Sequence, residues 1–299
     1  MYTGTYLNPN NIVFNEKINS RLYVDKSNLV KFCNERVCTS DKFICSTRPR
    51  RFGKTLTMDM IKVFFEKTTE DTSIYFKNQK IWNCGKKYQE YQGKYPVIFL
   101  SLKDAKFNTF EETIEKIAAL IQDEYLRHFN ELKDYLCDAE LNYYNKVINR
   151  TLSLVELASS LEKLSKYLSE YNKINTIIII DEYDTPISQG YIKGYYEDII
   201  AFMRNLFSGA FKDNNYLAFG FMTGILRIAK ESIFSGMNNL IENSILHEHY
   251  SPYFGFTTSE VKSLLNYYQK LDKIDEVCEW YVGYKFGSTE IFNPWSVLN

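Results

Sequence analysis

Gly53-Lys54-Thr55 carries the sharpest chemical meaning in this sequence. A glycine lets backbone approach an anion closely. A lysine after it can reach the terminal phosphates of a nucleotide, and a threonine hydroxyl can ligate Mg²⁺. The triplet stands between a predicted strand and a predicted helix, so the unpaired N–H groups of the helix start would face the same anion. Where the full phosphate-loop pattern has its first glycine, this sequence has Arg48. From the triplet alone two readings stand: a phosphate loop, or a loop with a glycine helix cap and an exposed Lys-Thr. Arg48, Arg50 and Arg51 crowd the same loop. Such guanidinium groups repel one another unless an anion is near, and their planar fork suits phosphate. The alternative is a solvated basic patch or ion pairs to nearby carboxylates. Pro49 keeps the loop out of helix until Gly53.

A second constellation is Ile177-Ile-Ile-Ile-Asp-Glu-Tyr-Asp184. A buried apolar strand that ends in carboxylates puts them at the carboxyl edge of a sheet, where open α/β folds bind ligands. Asp181 would hold Mg²⁺, directly or through water, as in a Walker B strand, and Glu182 could polarise an attacking water as general base. Alone, this run could equally be an acidic loop capping a helix near Pro186. Joined to an upstream strand–Gly-Lys-Thr–helix unit, it favours nucleoside-triphosphate chemistry. Asp184 either supports that pair or caps the helix. A further strand ends in Thr223-Gly224. If it lies beside the phosphate-loop strand, Thr223 can face the γ-phosphate, and Arg227 could stabilise transition-state charge. A helix cap and a surface ion pair are the plainer readings of those two.

The elements that must position these groups follow from periodicity. Strands are predicted over 42–47, 97–102, 176–180 and 216–223. Helices are predicted over 25–36, 54–67, 111–129, 153–170, 195–211 and 226–234. Ser153 with Glu156, and Thr257 with Glu260, have capping-box spacing. Strands separated by helices imply a parallel sheet with right-handed crossovers. After residue 250 the pattern turns to short helices, one over 257–268 and another from about Asp275.

Composition excludes several classes. The 299 residues are 45% hydrophobic and 24% charged with a net charge of −1, which is globular and argues against nucleic-acid binding by bulk charge. The six cysteines form no CxxC pair and His is scarce, so a zinc site is not expected. Scattered cysteines read as reduced thiols, and with no visible signal peptide a cytoplasmic location is expected. No apolar run reaches the length of a membrane span.

With these residues in view, the chain resembles the AAA-ATPase-like family, whose members often precede a PD-(D/E)XK nuclease-like domain. The resemblance runs from about Arg21 to the end. It rests on Tyr23-Val-Asp-Lys-Ser27, Thr47-Arg-Pro-Arg-Arg-Phe-Gly-Lys-Thr55, Ile98-Phe-Leu-Ser-Leu-Lys103, Ile180-Asp-Glu-Tyr-Asp-Thr-Pro186, Thr223-Gly-Ile-Leu-Arg-Ile-Ala-Lys-Glu-Ser-Ile-Phe-Ser235, Tyr253-Phe-Gly-Phe-Thr257 and Asn293-Pro-Trp-Ser296. In that family an arginine in place of the first loop glycine is usual.

The resemblance implies a P-loop NTPase, an α/β/α sandwich with a mostly parallel sheet. One strand is expected between the phosphate-loop strand and the acidic strand. An ATPase core is expected over 1–250 and a small helical lid over 251–299. It implies ATP, Glu182 as the catalytic glutamate and Thr223 as sensor; Lys54, holding Mg²⁺ and ATP, and Arg227, as helper, are the further candidate catalytic residues. The nucleotide would lie on Arg48, Pro49, Arg50, Arg51, Phe52, Gly53, Lys54, Thr55 and Leu56, and the metal on Thr55 and Asp181. Where the family usually has an acid in the lid, this sequence has Val282. Related proteins continue past Ser296, so a short form or a truncated chain is expected, and no nuclease signature is present. Two functions are carried forward: a Mg²⁺-dependent ATPase, and a nucleotide-gated module that regulates a protein partner, another copy of itself or a nuclease-like domain.

Overall fold

The computed structural model describes residues 9–20, 22–212, 214–226, 233–234, 240–248 and 250–298, with no description of the side chains of 9–13 and 282. Five strands form one sheet: β1 (Phe43–Thr47), β2 (Val97–Ser101), β3 (Thr176–Asp181), β4 (Leu217–Gly224) and β5 (Leu240–Asn243), in the order β2-β3-β4-β1-β5. Every pairing is parallel. The three central strands are buried along their whole length, whereas the edge strands β2 and β5 are covered only in part. The β-branched run of β3 suits a position covered on both faces.

Side chains alternate across that sheet. Ile178, Ile180 and Met222 face the helices α3 (Phe110–Leu132), α5 (Ser160–Asn172) and α7 (Tyr196–Phe211). Ile177, Ile179, Phe219 and Phe221 face α1 (Asn28–Asn34) and α2 (Lys54–Phe65). The period of two in the strands therefore builds one core per face, giving the three layers expected. Between α3 and α5 comes α4 (Asp138–Ile148), a helix that the sequence reading leaves unassigned. The predicted helix over 153–170 is two: a short turn of helix, Leu154–Ala158, and α5, with Ser159 between them. Both predicted capping boxes are present. Part-buried Arg127 of α3 bonds to Glu66 just past α2, to Glu124 of its own helix and to the Val97 carbonyl of β2.

The strand order puts β4 between β1 and β3, as expected. The last fifty or so residues differ from expectation. Two helices, α8 (Thr258–Tyr267) and α9 (Ile274–Tyr281), stand where predicted, but a three-stranded antiparallel sheet accompanies them: β6 (Phe256–Thr257), β7 (Val282–Phe286) and β8 (Thr289–Phe292), in the order β6-β8-β7. These strands are short and partly polar, so their period of two is weak. Gly287, at φ 55, makes the tight hairpin between β7 and β8. Phe254, Phe286 and Ile291 pack in the same apolar cluster as α2, so the core crosses residue 250 without a break. Among the described residues no helix is long and apolar enough to cross a membrane.

Candidate nucleotide site

The carboxyl ends of β1, β3 and β4 meet at one edge of the sheet. β1 runs into the loop 48–53, and the Arg48 N–H extends the β1–β4 pairing by donating to the Gly224 carbonyl at 3.0 Å. Gly53 then starts α2 with φ at 83°, a left-handed conformation that other residues adopt only under strain, and no atom lies where its Cβ would be. A cleft lies against this helix start, at Gly53, Lys54, Thr55 and Leu56. Arg51 is also left-handed, at φ 69.

Side chains from three elements converge below this loop. Thr55 Oγ1 of α2 donates to Asp181 Oδ2 at 2.8 Å, and Thr223 Oγ1 of β4 donates to Asp181 Oδ1 at 2.6 Å. Asp181 and Thr223 are fully buried. Lys54 Nζ donates to the carbonyls of Arg48 and Pro49, each at 3.0 Å. Burial pushes the Lys54 ammonium below its ordinary range, and Glu182, Asp181 and Asp184 act in the opposite sense.

Glu182 follows directly after Asp181 with φ at 54°, a left-handed conformation that few non-glycine residues take and that recurs where function demands it. It accepts a hydrogen bond from Thr185 Oγ1 at 3.3 Å. Asp184 is buried and accepts from the N–H groups of Ile225 and Leu226 at 3.0 and 2.8 Å through Oδ2, which ties the end of β4 to the acidic turn. Burial raises its carboxyl above the ordinary range, while those two backbone donors pull the other way.

A cleft of about 750 Å³ runs over these groups, lined on one side by Arg50, Arg51, Gly53, Lys54, Thr55 and Leu56 and on the other by Glu182 and Asp184. Three of the expected site residues turn their side chains away from the cleft. Arg48 does not reach the cleft. Its guanidinium is fully buried, donates to the Thr47 carbonyl and to both the carbonyl and Oδ1 of Asn243, and lies 5.1 Å from the ring centroids of Phe254 and Phe286. Burial lowers its pKa to about 10. It fastens the loop to β5 and the C-terminal sheet. Phe52 is likewise buried, against Tyr284 and Phe286. Thr223 turns its hydroxyl to Asp181 rather than to the cleft. Arg227 lies outside the described residues.

Four residues near the site were missed in the sequence. Lys106, Ser188 and Gln189 line the cleft opposite the phosphate loop. Gln189 donates to the Phe107 carbonyl at 3.0 Å, joining the loop after β2 to the helix α6 (Thr185–Lys193). Asp59 sits one turn after Thr55 on α2 and is buried, with its carboxyl raised to about 7, chiefly by burial. The one available signal for Asp59 was its spacing from Thr55, which places both on one helix face.

Comparison with known proteins gives three likenesses. A family model described as AAA-ATPase_like, Predicted AAA-ATPase, matches residues 14–234. An "Uncharacterized protein in vnfD 5'region" of Azotobacter chroococcum mcd 1 is 24% identical over 278 residues, which cover 92% of this chain and 47% of that protein. Among solved structures, "Structure of C. elegans PCH-2" is matched at 12% identity and a TM-score of 0.33, over 92% of this chain and 48% of that one. The chain spans about half the length of each.

Proposed function

Because the chain belongs to the Predicted AAA-ATPase family, we propose that it binds ATP with Mg²⁺ and hydrolyses the terminal phosphate. The observation that carries this reading is the junction of Thr55, Asp181 and Thr223 beneath an open helix start. A hydroxyl and a carboxylate are hard oxygen donors, the set Mg²⁺ prefers. Among the described residues no group of three or more His, Cys, Asp or Glu could hold a metal. A Mg²⁺ ion here would be held by few protein ligands together with phosphate and water. Thr55 and Asp181 would hold Mg²⁺, which when bound supplies positive charge to the phosphates.

The chain's own residues supply the remainder. The N–H groups at the start of α2 and the side chains of Lys54, Arg50 and Arg51 bind and orient phosphate. The Glu182 carboxylate accepts a proton from the attacking water as it approaches phosphorus. Thr223 and Thr55 hold both oxygens of Asp181, which keeps that carboxylate aimed. Arg227 is proposed to stabilise charge on the leaving oxygens. Positioning and charge stabilisation dominate phosphoryl transfer, and these residues provide both.

Calorimetric titration of ATP with Mg²⁺ tests the reading, with Lys54→Ala as control. Binding to the parent and none to the variant is expected. Equal binding by both would overturn it.

A second reading, a nucleotide-gated module for a protein partner, is favoured by one observation. Ile192 and Leu226 line the cleft yet are 71% and 52% exposed, an apolar rim that a partner could cover. Turnover separates the two: about one ATP per minute or slower suits the gate, against the usual enzymatic range of about 1–10³ s⁻¹.

A further inference from the structure

Trp295 belongs to the run Asn293-Pro-Trp-Ser296, to which neither function above assigns a task. The backbone there is built to present the indole. Asn293 Oδ1 accepts from the Trp295 N–H at 2.9 Å, and Pro294 opens the short helix α10 (Pro294–Leu298). The indole is 53% exposed, so its position is not explained by core packing. What it meets is the phosphate loop: the Arg51 guanidinium carbon lies 4.5 Å from the ring centroid.

Arg51 needs such a partner. Its backbone is left-handed, a conformation that persists in a non-glycine residue only where the surroundings impose it. Its neighbour Phe52 is wedged against Tyr284 and Phe286, and the Phe52 carbonyl accepts from the Gly255 N–H at 3.1 Å. Two successive side chains of the loop are therefore held by the C-terminal segment. A guanidinium stacked by its face keeps its N–H donors free along its edge. Stacking on Trp295 and hydrogen bonding to phosphate are thus compatible, and Arg51 lines the cleft.

We propose that Trp295 is a positioning residue of the nucleotide site, holding the Arg51 guanidinium where its edge meets the phosphates. The proposal rests on the ATP-binding reading above. It gives the C-terminal segment a part in ligand affinity that the phosphate-loop motif does not contain.

The test is ATP titration with Mg²⁺ by calorimetry on the full chain, comparing the parent with Trp295→Ala, Trp295→Phe, Arg51→Ala and the Arg51→Ala/Trp295→Ala double variant. Trp295→Ala should bind ATP about threefold to tenfold more weakly, the range of a lost cation–π contact. Trp295→Phe should recover most of that loss, because a benzene ring still offers a face. The double variant should bind no more weakly than Arg51→Ala, since the indole acts through that guanidinium. An unchanged affinity in Trp295→Ala overturns the proposal, as does a loss that adds in full to that of Arg51→Ala. If the parent itself binds no ATP, the nucleotide reading falls first, which is a distinct result. Urea midpoints of the variants separate a general loss of folding from the specific loss.

Discussion

Asp59→Asn is the substitution whose effect can be worked out most fully. Asp59 is 4% exposed on α2, one turn from Thr55. Burial raises its carboxyl from 3.8 to about 7, with Lys62 opposing and Asp181 adding to the rise. Between those two pH values the folded chain keeps a proton that the unfolded chain has released. Stability therefore falls as pH rises through that window and is level above it. The interval from 3.8 to about 7, at about 1.36 kcal/mol per pH step, makes the ionised group cost the fold on the order of 4 kcal/mol above pH 7. Asparagine keeps the shape without the charge but must itself be desolvated, at about 1–2 kcal/mol. The variant should be more stable than the parent by about 2–3 kcal/mol at pH 8 and nearly equal to it near pH 4.5. Urea unfolding at several pH values between these reads the difference directly. A difference that does not change with pH, or a variant less stable than the parent at pH 8, would refute the reasoning.

Other predictions concern roles. Glu182→Gln should bind ATP like the parent and turn it over about 10²- to 10⁴-fold more slowly, measured as phosphate release. Arg48→Ala should lower stability by about 3–5 kcal/mol in urea, since it empties a fully buried site and leaves the Asn243 carbonyl and Oδ1 unpaired. Arg51→Ala, at an exposed position, should change stability by about 1 kcal/mol or less and act on ATP affinity instead. Thr223→Val should cost about 1–3 kcal/mol in the same assay, because Asp181 Oδ1 loses its donor. Its turnover of ATP should fall further than its affinity.

Much of this arrangement is legible from residue types. β1, β3 and β4 were readable because each carries a run of apolar residues long enough for a buried strand, and the helices between them imposed a parallel sheet. The acidic turn after β3 and the Gly53-Lys54-Thr55 turn after β1 were readable because their chemistry needs fixed spacing. β5 was not, since Leu240-Ile-Glu-Asn243 is short and half polar, and its strand state depends on pairing with β1. The antiparallel sheet near the C-terminus was hidden for the same reason. Arg48 shows a different limit. Its position beside Gly53 invites a phosphate role, but a side chain's direction depends on partners remote in sequence, here Asn243, Phe254 and Phe286. Lys106 and Gln189 were unreadable because nothing local links the loop after β2 to α6.

The enclosure of Arg48 also bears on the order in which this molecule can be made. The arginine lies early in the chain, while its hydrogen-bond partner Asn243 comes 195 residues later and the ring of Phe286 later still. Contacts of such long separation form late, because the intervening chain must first be brought to order. During synthesis the phosphate loop leaves the ribosome well before the residues that close around its first arginine. A nascent chain ending before Asn243 can pair its central strands yet leaves that guanidinium without Asn243, Phe254 and Phe286. Nucleotide is then expected to act on the finished domain, and not to guide its folding as it emerges.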